Sequence, residues 1–384
     1  MAVFTKDDLK RFQSESLDSK FQRSLAKISE WYSRWDNEVY VSFSGGKDST
    51  VLADICARWC KAIGQPLYLV FVNTGLEYPE IQKHVKFFAE WLRDKYKIEV
   101  HLEILRPKMR FDEVIKTYGY PIIGKRQANA IELATKNLED RKYSLRLLTL
   151  GVSIEEAEAN GLQMPSQELL ERYKETTKNS KYNITTYKKL LNVDFKISDK
   201  CCGVMKKAPA REYTKRTGRK PIIATMAVES ALREKSWLAN GCNAFNSKKP
   251  QSAPMSFWTE QDVLLYIKQE QIPIASVYGD IIYESEPEQM RIDDFGIDCG
   301  TPEKLCTTGC DRTGCIFCAF GCHLEESPSR FERLKETHPR QYEYCIGGGE
   351  YNEDGKWQPN KEGLGMGHVF DELNKIYGDD FIKY

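Results

Sequence analysis

The alternation of hydrophobic and polar positions predicts three strands and two helices near the start of the chain. Residues 39–43 alternate and are rich in β-branched and aromatic types, and residues 98–105 read similarly, so both stretches predict strands. Residues 66–74 form a nearly continuous apolar run, which is typical of a strand buried on both faces. Between them, residues 48–63 and 78–95 have the spacing of amphipathic helices. This order predicts an α/β fold with a doubly wound parallel sheet.

The later part of the chain predicts a helical insertion, one further strand and a cysteine-rich C-terminal region. Residues 108–200 are mostly helical in pattern, polar and rich in lysine, and residues 221–226 predict a return to the sheet. A helix is predicted over 259–272, because Thr259 is a suitable N-cap and a proline follows the last turn. A final helix is predicted near 368–378.

The hexapeptide Ser-Gly-Gly-Lys-Asp-Ser, residues 44–49, lies between the first predicted strand and the first predicted helix. Gly45 and Gly46 allow a tight turn and a close approach of a ligand to the backbone. The free N–H groups at the start of the helix point towards this turn and form a site suited to phosphate or pyrophosphate, where Lys47 adds positive charge. The Walker A pattern is absent, and a plain turn is the simpler alternative. The neighbouring hydroxyl donors are Ser44, Ser49 and Thr50.

Composition and charge narrow the choice of partners and compartment. Lys and Arg together number 56, and so do Asp and Glu, so the formal net charge is zero. Such a chain does not attract nucleic acid through bulk electrostatics, and only a local patch would serve. Residues 1–20 do not form a signal peptide, and no apolar run approaches the roughly 20 residues of a membrane span. These features predict a soluble, cytoplasmic protein.

The twelve cysteines are clustered and not evenly spread. Cys201 and Cys202 are adjacent, and six more fall within residues 299–322. In a cytosolic chain such clusters indicate metal binding more often than disulfides. Burial as inert thiols is the alternative for Cys56 and Cys60, in the first predicted helix, and for Cys242.

Four stretches of the sequence together resemble a known superfamily. The hexapeptide resembles the pyrophosphate loop of N-type ATP pyrophosphatases, which have an adenine nucleotide alpha-hydrolase-like fold. Three more stretches narrow the resemblance to the phosphoadenylyl-sulfate (PAPS) reductase-like branch, and it covers roughly residues 38–320. They are "NTGLEYPE" (73–80), "MAVESALR" (226–233) and "FWTEQDVLLYIKQEQIPIASVYG" (257–279).

The resemblance implies a role for each part of the loop. Residues 44–49 would hold the phosphates of ATP, and Mg²⁺ would bridge those phosphates with help from Asp48 and Glu77. Lys47 would stabilise the charge on the leaving pyrophosphate. The implied catalytic residues are therefore Lys47, Asp48 and Glu77.

The other motifs imply residues around the nucleotide. Thr74 and Glu77 would lie at the end of the neighbouring strand, near adenosine or metal. Glu229, Ser230 and Arg233 would close the site. From the residues alone, Glu229 and Arg233 equally fit an ion pair between helix positions i and i+4.

The resemblance also bears on the cysteines. Cys201 and Cys202 resemble the tandem pair of assimilatory adenylyl-sulfate reductases, which carry a [4Fe–4S] cluster, and Cys315 and Cys318 would complete the four thiolates. About thirty inserted residues, containing Cys299, Cys306 and Cys310, separate the last helix motif from this second pair. Zinc is the alternative metal, because four cysteines at short spacings favour it. Its ligands would be Cys306, Cys310, Cys315 and Cys318.

Three functions are compatible with these features. The complete loop favours an ATP pyrophosphatase that adenylates a substrate for sulfur transfer. Reduction of adenylyl sulfate or PAPS is the second, although the Glu-Cys-Gly-Leu-His tail of those reductases is missing and Cys345 lies in a different context. The third is a nucleotide-binding module in a nucleic-acid modification or defence complex, since the arrangement is similar to the ATP pyrophosphatase of DNA phosphorothioation and to tRNA thiolases.

The partners predicted are an adenine nucleotide, a sulfur-donor protein and a tRNA or DNA substrate, with no membrane contact. Lysines interleaved with tyrosines in the insertion, including Lys174, Lys178 and Lys181, would track a nucleic-acid backbone, and a solvated helical face is the alternative. The predicted regions are a helical lead-in over 1–36, a nucleotide-binding domain over 37–235 with the insertion, and a C-terminal region over 236–384.

Overall fold

The computed structural model describes residues 3–168, 170–171, 183–284 and 304–384. Lys174, Lys178, Lys181 and Cys299 lie outside the described residues. The chain divides into two compact units. Unit 1 comprises residues 1–73, 77–106 and 209–315, and unit 2 comprises residues 74–76, 107–208 and 316–384. The three regions predicted from sequence, 1–36, 37–235 and 236–384, divide the chain at other positions, and they stay a prediction.

The helices and strands alternate along the first third of the chain and are shorter afterwards. The strands are β1 Val39–Ser42, β2 Leu67–Val72, β3 Val100–Leu105, β4 Ile122–Ile123, β5 Lys220–Ile222, β6 Ile281–Tyr283, β7 Leu305–Thr307, β8 Ala319–Phe320, β9 Glu350–Tyr351 and β10 Trp357–Gln358. The helices are α1 Lys6–Gln13, α2 Leu17–Arg34, α3 Lys47–Ile63, α4 Pro79–Tyr96, α5 Phe111–Tyr118, α6 Lys125–Glu139, α7 Leu145–Thr149, α8 Ile154–Ala159, α9 Ala208–Thr217, α10 Ala231–Asn240, α11 Glu260–Gln269, α12 Arg330–Thr337, α13 Pro339–Ile346 and α14 Met366–Tyr377.

Unit 1 contains a four-stranded parallel sheet in the order β3-β2-β1-β5. The chain runs outwards from β1 to β3 and then returns to the other side of β1, so the carboxyl end of β1 lies where the strand order reverses. Ligands of open parallel sheets bind at this position. The predicted α/β fold with a parallel sheet is confirmed.

The core of unit 1 explains why the apolar runs become strands. Val39 and Val41 of β1, and Leu67, Leu69 and Phe71 of β2, belong to one buried cluster with the apolar faces of the flanking helices. The predicted helix after residue 259 is present, with Thr259 as its N-cap. The Thr259 side chain accepts from the N–H of Asp262, and the Asp262 side chain accepts from the N–H of Thr259, which is a capping box.

A buried carboxylate connects three helices of unit 1. Asp54 of α3 is fully buried and accepts hydrogen bonds from the hydroxyls of Tyr96, at 2.6 Å, and Tyr266, at 2.8 Å. Arg58 donates to it at 3.0 Å, and Lys95 lies 3.4 Å away. Since Tyr96 ends α4 and Tyr266 belongs to α11, this carboxylate fixes α3 against both helices.

Unit 2 contains α5 to α8, α12 to α14 and two short sheets. β4 pairs in parallel with β8 through Ile122–Ala319 and Ile123–Phe320, and β9 pairs with β10. The Tyr120 hydroxyl donates to the carbonyl of Leu364 at 2.8 Å. The predicted helical insertion therefore shares one compact unit with the C-terminal part of the chain. Among the helices described, none is long and apolar enough to cross a membrane.

Replacing Asp54 by asparagine should destabilise the protein by about 3 kcal/mol, because Arg58 would lose one of its two carboxylate partners and keep only Glu270, and the amide N–H groups would face hydroxyl donors. Urea unfolding measures the loss. Asp94→Asn, on an exposed position of α4, is the matched control and should change stability by less than about 0.5 kcal/mol. Equal effects of the two substitutions would contradict this role of Asp54.

Candidate functional site

The turn between β1 and α3 presents backbone N–H groups at the carboxyl end of the sheet. Gly45 has a φ of +75°, and a Cβ there would lie 2.7 Å from Cγ2 of Val85 and 2.8 Å from Cγ2 of Ile81. Only glycine fits this conformation and this space. Gly46 is the N-cap of α3 and supplies no capping side chain, so an acceptor from outside the helix, here the hydroxyl of Tyr278, takes its first N–H.

The serine hydroxyls hold the turn in shape. Ser49 donates from its hydroxyl to the carbonyl of Gly46 at 2.9 Å and accepts from the backbone N–H of Ser44 at 3.2 Å. The Ser44 and Ser49 hydroxyl oxygens lie 3.0 Å apart. The two predicted hydroxyl residues therefore brace the loop, and Ser44 also accepts from the N–H of Gly46 at 3.4 Å.

Lys47 is a buried cation with acidic neighbours. Its side chain is 3% exposed, and Nζ lies 3.0 Å from Oε1 of Glu260 and donates to the carbonyl of Asp311 at 2.9 Å. Burial acts to lower the pKa of Lys47, but Asp48 and Glu260 outweigh it, and the pKa is raised. The ammonium group is therefore charged at neutral pH, as a phosphate-binding residue must be.

Asp48 provides an oxygen that could hold a cation. Its Oδ1 is buried, lies 3.7 Å from Nζ of Lys47 and has no hydrogen-bond partner among the described residues. Burial is the main cause that raises the pKa of Asp48, and the charges of Lys47 and Arg312 oppose the shift. A buried carboxylate oxygen without a donor is a suitable ligand for a hard divalent cation.

The predicted trio Glu229, Ser230 and Arg233 lies together before and in α10. Glu229 forms an ion pair with Arg233 and accepts from the backbone N–H of Met226 at 2.8 Å. Ser230 is the N-cap of α10. Burial and the charge of Arg312 lower the pKa of Arg233, and Asp48 opposes them. The trio is therefore within electrostatic reach of the loop, while the alternative i,i+4 ion pair is also present.

Thr74 and Glu77 are both buried, at 8% exposure each. The Thr74 hydroxyl accepts from the N–H of Leu76 at 3.2 Å. Thr74 belongs to unit 2, whereas Glu77 and the loop belong to unit 1. Their predicted roles near adenosine or metal stay predictions.

Sequence reasoning missed three residues that contact Lys47 of the loop and a fourth that contacts one of these three. The backbone N–H of Lys47 donates to the hydroxyl of Tyr278 at 3.1 Å, and that hydroxyl lies 2.6 Å from Oγ1 of Thr313. Glu260 and Tyr278 lie inside the stretch 257–279 that carried the family resemblance, so that stretch could have indicated them as residues of the site. Asp311 is the last residue of the inserted segment and Thr313 follows it, and no local pattern there pointed to the loop.

Three of the four cysteines predicted for the cluster lie in unit 2. A hydrogen bond from Cys201 is the main cause that lowers the pKa of Cys202 to about 5, and Lys125 and Lys206 add to it. Burial raises the pKa of Cys318, and the charge of Cys202 contributes. The three thiols are therefore near one another. A π-helical turn, Gly203–Lys207, follows the tandem pair, and such turns are frequent at functional sites.

The remaining candidate thiols lie in unit 1. Cys306 belongs to β7, which pairs antiparallel with β6, and Cys310 and Cys315 follow it at half-buried positions. Across the residues that the structure describes, no group of three or more His, Cys, Asp or Glu side chains has the geometry of a metal site. Both the [4Fe–4S] set and the zinc set stay predictions.

Comparisons with known proteins identify relatives of the chain. Residues 38–137 and 123–320 match the family described as phosphoadenosine phosphosulfate reductase domain. Two uncharacterized proteins of Methanocaldococcus jannaschii are similar. One is 29% identical over 128 residues, 33% of this chain and 28% of the relative, and the other is 32% identical over 108 residues, 27% of this chain and 20% of the relative. The chain thus matches between a fifth and just over a quarter of the length of these relatives.

The steric constraint at Gly45 can be separated from its backbone conformation. Gly64 also has a positive φ, of +65°, but a Cβ there would meet nothing within 4 Å. Gly64→Ala should therefore cost about 1 kcal/mol of stability, and Gly45→Ala should cost about 1–3 kcal/mol more because its methyl group also clashes. Urea unfolding of both variants provides the comparison, and equal losses would show that the loop has room for a side chain.

Proposed function

Because the chain belongs to the phosphoadenosine phosphosulfate reductase domain family, we propose that it binds ATP at the loop of residues 44–49 and cleaves it between the α and β phosphates to adenylate a substrate for sulfur transfer. The buried Lys47 ammonium beside the N-terminus of α3, whose N-cap is a glycine, carries this proposal. This arrangement places the positive charge of Lys47 next to the N–H donors at the start of α3, which suits a pyrophosphate leaving group.

The reaction follows from where negative charge develops. A nucleophilic atom of the acceptor attacks the α-phosphorus, the bond from that phosphorus to the bridging oxygen breaks, and pyrophosphate leaves with the electron pair. Lys47 and the first N–H groups of α3 stabilise the charge on pyrophosphate. Asp48 would hold Mg²⁺, with Glu77 as a second candidate, and the ion would neutralise phosphate charge. A sulfur nucleophile from a donor protein then displaces AMP.

Reduction of a sulfonucleotide is the weaker alternative. That reaction needs an accessible thiolate as nucleophile. Cys345 is 0% exposed, its thiol lies 3.5 Å from Sδ of Met366, and burial raises its pKa well above the usual range for a thiol. A thiol in this state is inert, so Cys345 does not replace the missing nucleophile, and this favours ATP cleavage.

We also propose that the cysteines hold a [4Fe–4S] cluster through Cys201, Cys202, Cys315 and Cys318. The donor chemistry fits, because the lowered pKa of Cys202 leaves a thiolate at neutral pH, and Lys125 and Lys206 offset its negative charge. The cluster would supply a site for sulfur or electron transfer. Zinc remains the alternative metal. We propose tRNA or DNA as the acceptor class, with a small molecule as the alternative.

Lys47→Ala should weaken ATP binding by at least about tenfold without unfolding the chain, since a charged hydrogen bond to phosphate is lost. Calorimetry with ATP, adenylyl sulfate and PAPS should show that the wild-type protein prefers ATP, and turnover should release pyrophosphate and AMP. Lys61→Ala, at an exposed position of the same helix, should bind ATP normally. Tighter binding of a sulfonucleotide with release of sulfite would overturn the proposal.

Protein purified without oxygen should be brown and contain about four irons per chain if the cubane is complete. Cys202→Ser should lose the colour and the iron, because a serine hydroxyl is a poor ligand for iron–sulfur clusters. Cys56→Ser, in the buried face of α3, should retain both. Colourless protein with one zinc, lost when Cys306 or Cys310 is replaced, would reverse the assignment.

A further inference from the structure

The segment between Cys310 and Cys315 contacts the phosphate-binding loop through its backbone, and one of its hydroxyls contacts Tyr278, which is itself bonded to the loop. The Asp311 carbonyl accepts from Nζ of Lys47 at 2.9 Å. The Thr313 hydroxyl lies 2.6 Å from that of Tyr278, which accepts the backbone N–H of Lys47. The backbone N–H of Lys47 therefore donates to Tyr278, and its ammonium group donates to this segment and forms an ion pair with Glu260. These are the two donor groups of Lys47 that would face a phosphate.

Arg312 lies within the same segment and extends beside the acidic residues of the site. Its Nη1 is 3.9 Å from Oε1 of Glu229, and its side chain is 60% exposed. This distance is too long for a hydrogen bond, and an ion pair at such exposure adds little stability. The position of Arg312 is thus poorly explained by folding.

Two guanidinium groups approach one carboxylate at this point. Glu229 pairs with Arg233 and lies near Arg312. The charge of Arg312 contributes to the lowered pKa of Arg233, so the two cations repel each other. A polyphosphate between them would relieve that repulsion, and guanidinium groups bind phosphate oxygens in pairs.

We propose that Arg312 is a phosphate-binding residue of the nucleotide site, supplied by the cysteine-rich segment, and that nucleotide phosphates take the place of the Asp311 carbonyl at Lys47. The inference rests on the proposed ATP site and names a ligand-binding residue in it. It makes nucleotide affinity depend on where the segment between Cys310 and Cys315 lies. Loss of the segment from the loop would remove one cation from the site while Lys47 and Arg233 remain.

Calorimetry with ATP and with inorganic pyrophosphate tests this assignment on the full chain. Arg312→Ala should weaken binding of both by about tenfold, the effect of one charged hydrogen bond. Arg312→Lys should recover part of the loss, because it keeps the charge without the paired donors. The matched control is Arg216→Ala, since Arg216 is 58% exposed and also pairs with a glutamate, but lies at the end of α9. It should bind both ligands as the wild type does.

The outcomes separate this inference from the proposed function. If Lys47→Ala weakens binding and Arg312→Ala does not, the loop binds nucleotide and the role of Arg312 is wrong. If Arg312→Ala and Arg216→Ala weaken binding equally, the effect is general electrostatics and the assignment also fails. If the wild-type protein binds neither ATP nor pyrophosphate, the proposed function and the role of Arg312 are both overturned.

Discussion

The buried carboxylate of Asp54 is the constraint on which the geometry of the loop depends. A charge in the core is tolerated only when its hydrogen bonds are satisfied, and here two tyrosine hydroxyls and an arginine satisfy it. Asp54 lies seven residues after Lys47, about two helical turns. Because these donors come from α4, α11 and α3 itself, the rotation and height of α3 are fixed, and so is the direction of its N-terminal N–H groups.

The charges around the loop are balanced before any ligand binds. Lys47, Arg233 and Arg312 lie among Asp48, Glu229 and Glu260. Mutual pairing lowers the cost of burying Lys47 and Glu229, the two least exposed of these groups. A bound polyphosphate would pair with the cationic side chains of the site, and a magnesium ion would pair with its carboxylates. The ion pairs now present would be replaced by these contacts. The site therefore has no large field of one sign, in keeping with the zero formal charge of the whole chain.

The sheet and the loop could be predicted from sequence because their signals are local. The strands β1 to β3, the helices between them and the N-cap Thr259 all follow from periodicity and capping within short windows. Tyr278 and Asp311 could not be found in this way. They meet Lys47 across 231 and 264 residues, and no pattern within a helix or strand encodes such a contact. The same reason explains why the sequence did not group residues 107–208 with 316–384.

The pairing of β4 with β8 sets a delay during synthesis of the chain. About 200 residues separate the two strands, and at roughly 5–20 residues per second a ribosome needs about 10–40 s to supply the second one. Until then Ile122 and Ile123 have an open edge, and Phe111 has not met its stacking partner Phe317. The nascent polypeptide thus exposes apolar surface for longer than most small domains take to fold.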